Sequence, residues 1–115
     1  MKTPFVLTLL FLLGLFLTNC AQDIPTKEAK LKVYGNCGMC KTRIEEAIDI
    51  PEVKYAKWDK TTKNLKVIFE TTITADSLLQ RIAAVGHDNE KFKAPDDVYK
   101  NLPKCCLYRN NSKTH

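Results

Sequence analysis

The sequence predicts a small α+β fold in which helices cover one face of an antiparallel sheet. Three stretches alternate between apolar and polar residues, which is the strand period, and two stretches repeat apolar residues three and four apart, which is the helix period. Their order along the chain is βαββα. The chain has 115 residues, five of them cysteines. This length is enough for one small domain and excludes a multidomain enzyme.

The spacing of apolar residues predicts the first elements. A strand ends at Gly35, and its alternating apolar positions are Ala29, Leu31 and Val33. A helix then follows Cys40 and stops at Pro51, with apolar positions at Ile44, Ala47 and Ile48. Residues 53–58 alternate again and indicate a second strand.

A hairpin and a second helix come next. The polar run of residues 59–64 turns the chain into a third strand, whose apolar positions are Leu65, Val67 and Phe69. Thr74 can cap a helix that has Asp76 in its first turn and ends at Gly86. The apolar face of this helix consists of Leu78, Leu79, Ile82 and Val85.

A fourth strand would complete a ferredoxin-like βαββαβ sandwich, the split βαβ arrangement. This strand, within residues 87–94, is the least well marked because Phe92 is its one large apolar residue. Residues 96–102 indicate one or two helical turns, and the chain is irregular from Pro103. We therefore predict a signal peptide over residues 1–20, a linker over 21–27, the domain over 28–94 and a tail over 95–115.

The N-terminus predicts export. Lys2 precedes an apolar run from Phe5 to Leu17, which is too short to span a membrane as a helix and is typical of a signal peptide. The run ends in Leu-Thr-Asn-Cys20, which resembles a bacterial lipobox, although Asn19 departs from the small residue of that pattern. We expect a periplasmic or outer-membrane-anchored lipoprotein with Cys20 lipidated; ordinary cleavage after Ala21 is the alternative.

Either way of processing leaves four thiols arranged as two local pairs. Cys37 and Cys40 are three residues apart, and Cys105 and Cys106 are adjacent. Two structural disulfides are one interpretation for an exported chain. However, a disulfide within a local pair closes too short a loop to stabilise the fold much. The spacing of the pairs therefore indicates a chemical function.

The residues around the first pair carry a family resemblance. A strand, then Gly35-Asn-Cys-Gly-Met-Cys40, then an amphipathic helix resembles the heavy-metal-associated domain of copper chaperones and of the periplasmic mercury-binding protein. The resemblance covers residues 28–94 and implies that Cys37 and Cys40 bind the metal. The family pattern is Gly-Met-x-Cys-x-x-Cys, and its methionine is replaced by Gly35 here, while Met39 lies inside the motif.

The chemistry of the pair independently favours a soft metal ion. A helix N-terminus favours thiolate over thiol, and Lys41 and Arg43 add positive charge nearby. Two thiolates suit Cu(I), or Hg(II) as a mimic, better than Zn(II), which prefers four ligands. Cys105 and Cys106 are candidate auxiliary ligands if the tail folds toward the loop; the alternative is that they pack or form a disulfide with the other pair. The resemblance implies that the loop of His87 approaches the metal site, where His87 is a candidate third ligand or gate; a solvated loop histidine is the alternative.

The same residues are compatible with other functions. The main alternative is an exported thiol-disulfide redox protein that uses Cys37 and Cys40. The strand hairpin and the absence of a proline between Pro51 and Pro95 favour the metal-binding domain over it. Nucleic-acid binding is disfavoured, since the third strand lacks the Gly-aromatic signature of RNA-recognition domains. We expect no enzyme activity. The expected partner is a metal-donating or metal-accepting protein such as a transporter or efflux component, with membrane attachment if Cys20 is acylated.

Overall fold

The computed structural model describes residues 23–110 as a three-stranded antiparallel sheet with two main helices and a packed C-terminal segment. The predicted signal peptide and Cys20 lie outside this range. The elements, in order, are β1 (Thr26–Lys32), α1 (Gly38–Ala47), β2 (Val53–Trp58), β3 (Asn64–Glu70), α2 (Ala75–Ala84), α3 (Asp96–Lys100) and a 3₁₀ turn (Lys104–Cys106). No helix among these residues is long and apolar enough to cross a membrane.

The sheet has the order β1-β3-β2, so the hairpin strand β3 is central. Its register places apolar side chains of all three strands on one face. Leu65 lies between Leu31 and Trp58, and Val67 lies between Ala29 and Ala56. Because successive strand residues point to opposite faces, the intervening lysines lie on the other, open face. The predicted alternation is therefore confirmed in β1 and β3, whereas in β2 a bulge between Val53 and Tyr55 shifts the register.

Both main helices pack on the apolar face of the sheet. Helix α1 buries Cys40 and Ile44, and α2 buries Leu78, Leu79, Ile82 and Ala83. The hydroxyl of Thr74 accepts a hydrogen bond of 3.2 Å from the backbone N–H of Ser77, so the predicted cap is present. Helix α2 terminates just before Gly86, whose φ of 112° is accessible to few other residues.

The predicted fourth strand is reduced to one bridge between Val33 and Asn89. The backbone N–H of Tyr34 donates to the carbonyl of Asp88 at 2.9 Å, so the chain does lie along the sheet edge there. Pairing then ends, because the side chain of Asn89 accepts from the backbone N–H groups of Lys91 and Phe92 and closes a tight turn. The expectation of a full strand over 87–94 is corrected accordingly, and the α+β, ferredoxin-like arrangement stands.

The C-terminal segment packs into the same core as the sheet and helices. Tyr99, Leu102, Cys106 and Tyr108 are all buried. The predicted tail, which begins at residue 95, thus packs against the rest of the domain as far as Tyr108. At the other end, β1 begins at Thr26, inside the stretch predicted as a linker.

Candidate metal centre

The first cysteine pair lies at the N-terminus of α1, as its sequence context predicts. Cys37 has extended backbone angles and is the N-cap residue, and Cys40 lies in the first helical turn. Both thiols are buried, and their sulfur atoms are 3.1 Å apart. The unpaired amides of the first turn and the positive end of the helix dipole favour negative charge here.

Trp58 leaves no room for a side chain at Gly35, the position where the family pattern has methionine. A Cβ atom on Gly35 would lie 3.0 Å from Cys40 Cβ and 3.0 Å from the Trp58 ring. The indole fills the space beneath the loop and donates a hydrogen bond of 2.9 Å to the carbonyl of Val33. The indole from β2 therefore packs directly against the loop at Gly35, where a side chain would crowd it.

The vicinal cysteines of the C-terminal segment lie against this loop. Cys106 Sγ is 3.1 Å from Cys37 Sγ, although the residues are 69 apart in sequence. Cys105 Sγ is 3.9 Å from Cys37 Sγ and 3.8 Å from Cys106 Sγ. We call the four thiols of Cys37, Cys40, Cys105 and Cys106 the sulfur cluster. Cys37 is its centre, since the other three sulfurs all lie within 3.9 Å of it.

Three members of the cluster have the spacing of ligands to one ion. The sulfurs of Cys37, Cys105 and Cys106 lie within 4.8 Å of one another, and Cys40 stands outside that group. Metal–sulfur bonds of ~2.3 Å in tetrahedral or trigonal geometry put sulfurs about 3.8–4.0 Å apart. Small movements of the side chains would therefore let one ion contact three sulfurs.

The thiols of the sulfur cluster differ in pKa. Partial burial acts to raise the pKa of Cys37, but hydrogen bonds from Cys40 and Cys106, with a smaller one from Cys105, outweigh it and lower that pKa to about 7. Burial raises the pKa of Cys40. Loss of hydration and the hydrogen bonds to Cys37 raise the pKa of Cys105 and of Cys106 to about 11. Cys37 is thus the first thiolate of the cluster, stabilised by neighbouring S–H groups.

Arg43 is a cation that contacts the cluster directly, through Cys106. Its Nη1 donates to Cys106 Sγ at 3.4 Å and to His87 Nε2 at 3.4 Å. Lys41, which the sequence also suggested, instead forms an ion pair with Glu45 and donates to the carbonyl of Trp58. Arg43 therefore provides positive charge that can offset thiolates, and Lys63 also interacts electrostatically with Cys40 and Cys37.

His87 is fully buried and lies beside the cluster without joining it. Its Nδ1 is 2.8 Å from the carbonyl oxygen of Tyr34, which can only accept, so Nδ1 carries the proton and Nε2 accepts from Arg43. Burial, with a repulsive contribution from Arg43, lowers the pKa of His87 to about 4 despite the opposing Tyr34 hydrogen bond. The structure thus places this residue as a neutral support for Arg43, with both ring nitrogens engaged away from the sulfurs.

Tyr108 and Arg109, which follow the vicinal cysteines, hold the C-terminal segment in place. The Tyr108 hydroxyl donates to the carbonyl of Gly86 and accepts from the backbone N–H of Asp88, each at 2.7 Å. Its ring stacks on His87 at 5.4 Å. Arg109 forms a bidentate ion pair with Asp88, at 2.8 and 2.9 Å, and stacks over the ring of Tyr99. These contacts fix the position of Cys106.

Sequence reasoning brought out the cysteines but missed these supporting residues. Tyr108 and Arg109 directly follow the vicinal pair, and an aromatic residue beside an arginine was the available signal for a packed segment. Asn36 was also missed; it is buried, and its Oδ1 is 3.5 Å from Cys40 Sγ. None of Tyr108, Arg109 and Asn36 lies at a sequence spacing that marks it as part of a metal site.

Three solved structures share this fold. The CopZ metallochaperone superposes with a TM-score of 0.52 at 24% identity, over 55% of this chain and 98% of that one. A proposed copper-ion-binding protein from Bacillus anthracis str. Ames gives 0.55 at 21% identity, over 59% of this chain and 100% of that one. The water-soluble region of P-type ATPase CopA from Bacillus subtilis gives 0.53 at 25% identity, over 59% of this chain and 47% of that one.

No protein-family model and no curated protein sequence matches the chain. The likeness therefore rests on the arrangement of the sheet and helices, together with a cysteine cluster at the first helix N-terminus. These structural neighbours are domains of the heavy-metal-associated type, and the resemblance indicated by the sequence is confirmed by them. The chain thus carries an α+β domain with the fold of the heavy-metal-associated domains.

Proposed function

We propose that this protein binds a soft metal ion, Cu(I), in the sulfur cluster and carries it to or from another protein. The observation that carries the proposal is the position of Cys37 Sγ, which has three other cysteine sulfurs at 3.1, 3.1 and 3.9 Å. These thiols come from two distant parts of the chain and lie this close together, which suits metal binding better than a purely structural role.

The donor set favours Cu(I) over Zn(II). Thiolates are soft ligands that select Cu(I), whereas structural zinc sites use four ligands in a closed tetrahedron. Here the compact group contains three sulfurs, with Cys40 to one side. Hg(II) shares the preference for sulfur and is the second choice, and Zn(II) is the third, available only if all four thiols converge.

The charge around the cluster supports metal binding, and the exposure of one of its sulfurs makes that binding reversible. Three thiolates and one Cu(I) carry a net charge of −2, and Arg43 at 3.4 Å from Cys106 Sγ offsets part of it. An ion held by exposed and buried sulfurs together can be attacked by sulfur ligands of a partner. That property suits a carrier, and we expect no catalytic turnover.

The partner is proposed from the structural neighbours. One neighbour is a metallochaperone and another is the water-soluble region of a P-type ATPase. A copper transporter or an efflux component with its own sulfur ligands is therefore the expected donor or acceptor. Nucleic acid is not an expected partner.

Export and lipid attachment remain part of the proposal. They rest on the apolar run Phe5–Leu17 and on Cys20 at its end. We expect palmitate labelling of the wild type in a bacterial host and none in Cys20→Ser; an unlabelled wild type would remove the lipid anchor and leave ordinary cleavage.

A redox protein is the second candidate, favoured by the lowered pKa of Cys37 and its 3.1 Å contact with Cys40. A dithiol oxidant or reductant would exchange electrons with model disulfides such as oxidised glutathione and would lose this exchange in Cys40→Ser. We expect the wild type to show no faster exchange than a free dithiol, and faster exchange would favour the redox protein.

The test of the metal proposal is an anaerobic Cu(I) titration against a competing chelator. We expect one tightly bound ion in the wild type, loss of that site in Cys37→Ser/Cys40→Ser, and an affinity at least about tenfold lower in Cys105→Ser/Cys106→Ser, equivalent to ~1.4 kcal/mol. Unchanged affinity in the first double variant would contradict the site assignment. Circular dichroism of each variant controls for folding.

A further inference from the structure

One sulfur atom near the cluster is not a thiol and faces solvent. Met39, inside the Cys37–Cys40 loop, is 52% exposed, whereas the other sulfur-bearing residues of the loop are buried. Its Sδ is 3.5 Å from Cys105 Sγ, and Cys105 is the one exposed cysteine among the described residues. We call Met39 Sδ and Cys105 Sγ the outer sulfur pair.

The outer sulfur pair connects directly to the buried sulfurs. Cys105 Sγ is 3.8 Å from Cys106 Sγ and 3.9 Å from Cys37 Sγ, so an ion bound at the surface is one ligand exchange away from the buried thiols. Cys37 is 5% exposed, and Cys40 and Cys106 are fully buried. A ligand from solvent or from another protein therefore meets the outer pair first.

The surface beside Met39 leaves room for an incoming ligand. An open depression, lined by Met39, Thr42, Arg43 and Glu46, adjoins the pair. The exposed Met39 thioether is held beside the Cys105 thiol, which donates to it. Both features suit a position where soft ligands meet.

We propose that the outer sulfur pair is the port through which a soft metal ion enters and leaves the sulfur cluster, with Met39 as a transient thioether ligand and a sulfur-bearing protein as the partner. The inference deepens the proposed function and depends on it. On release, Met39 Sδ bonds to Cu(I) as the thiolates of Cys37 and Cys106 leave the ion and take protons from water. A partner thiolate then bonds to Cu(I), and the Met39 thioether leaves as a neutral group. A second partner thiolate replaces Cys105, whose thiolate also takes a proton from water; hydroxide is the other product, and copper stays monovalent throughout.

The thioether gives the port a chemical preference. Soft thioether ligands bind Cu(I) and are poor ligands for Zn(II), for which imidazole, thiolate and carboxylate are the usual donors. Met39 should therefore speed the exchange of Cu(I) and leave that of Zn(II) unaffected. A thioether also needs no deprotonation before it binds.

The experiment separates the port from the binding site. Wild type and Met39→Leu, which keeps size and loses sulfur, are mixed anaerobically in a stopped-flow instrument with Cu(I)–bicinchoninate to follow capture and, once loaded, with free bicinchoninate to follow release. Equilibrium affinity is measured on the same samples. Thr42→Ala, in the same depression but without sulfur, is the matched control, and Zn(II) with a chromophoric zinc chelator is the metal control.

We expect Met39→Leu to keep the equilibrium affinity for Cu(I) and to slow capture and release together by about tenfold, the effect of one lost contact in the exchange step. Zn(II) rates and Thr42→Ala should match the wild type. Unchanged Cu(I) rates in Met39→Leu would overturn the port, as would equal changes for Cu(I) and Zn(II), which would show a packing role. Failure of the wild type to bind Cu(I) would instead overturn the proposed function itself.

Discussion

At the residue scale, the buried charges and hydrogen bonds behind the cluster determine how it is arranged. His87 uses Nδ1 to hold the Tyr34 carbonyl and offers Nε2 to Arg43, whose guanidinium reaches Cys106. This chain of contacts links the edge of the sheet to the sulfur of the C-terminal segment. A protonated His87 would repel Arg43 and break the chain.

The metal-free protein should lose stability through His87 as the pH falls. Its pKa is about 4 in the folded state and about 6.5 when unfolded, so the unfolded chain binds more protons between these values. The stability from neutral His87 is present above pH 6.5 and is lost as the pH falls toward 4. Urea unfolding at several pH values should show this decline in the wild type and not in His87→Gln; parallel curves would contradict the assignment.

The Asp88–Arg109 pair should control how firmly the vicinal cysteines are held. Both side chains are 20% exposed, and a hydrogen bond to a charged group contributes about 1.5–3 kcal/mol. We expect Arg109→Gln to lower the free energy of unfolding by about that amount. Amide exchange in residues 104–108 should also accelerate. Lys100→Gln, an exposed charge removed from α3, is the control, and equal effects in both variants would exclude a specific role for Arg109.

At the element scale, Gly86 is the point where α2 gives way to the segment that carries Asp88 and Asn89. Its φ of 112° is unfavourable for any side chain, and a Cβ there would lie 2.9 Å from Leu102 Cδ2. Both the helix end and the packing of the C-terminal segment therefore depend on the absence of a side chain at this position.

Gly86→Ala should destabilise the protein by about 2–4 kcal/mol, the sum of a left-handed backbone penalty and an overpacked contact. Gly38→Ala is the matched control, because a Cβ there meets nothing within 4 Å and alanine favours a helix. Thermal unfolding of the two variants without metal decides the point. Equal midpoints would show that Leu102 and the backbone adapt at no cost.

The elements also show how far the sequence could predict the fold. The alternation of Leu65, Val67 and Phe69 and the cap at Thr74 predicted β3 and α2, because these patterns reflect contacts near in sequence. The fourth strand could not be predicted to stop at one bridge, since that depends on how the Asn89 side chain closes its turn.

At the scale of the whole molecule, the C-terminal segment belongs to the domain and brings half of the sulfur cluster to it. The sequence predicted Cys37 and Cys40 at a helix start, because the loop and helix are contiguous. It could suggest, but not place, Cys105 and Cys106, since their position depends on Tyr108 meeting Gly86 and Arg109 meeting Asp88 across the fold. The cysteine pairs thus form one centre through tertiary packing.

In the proposed site, the loop and the C-terminal segment hold one ion jointly. The most direct test is copper K-edge X-ray absorption on the anaerobic complex with one Cu(I) per protein, which counts the sulfur ligands. We expect three sulfurs around copper in the wild type and two in Cys105→Ser/Cys106→Ser, with Lys100→Gln as a control that keeps three. Two sulfurs in both the wild type and the cysteine variant would contradict the claim and leave Cys37 and Cys40 as the whole site.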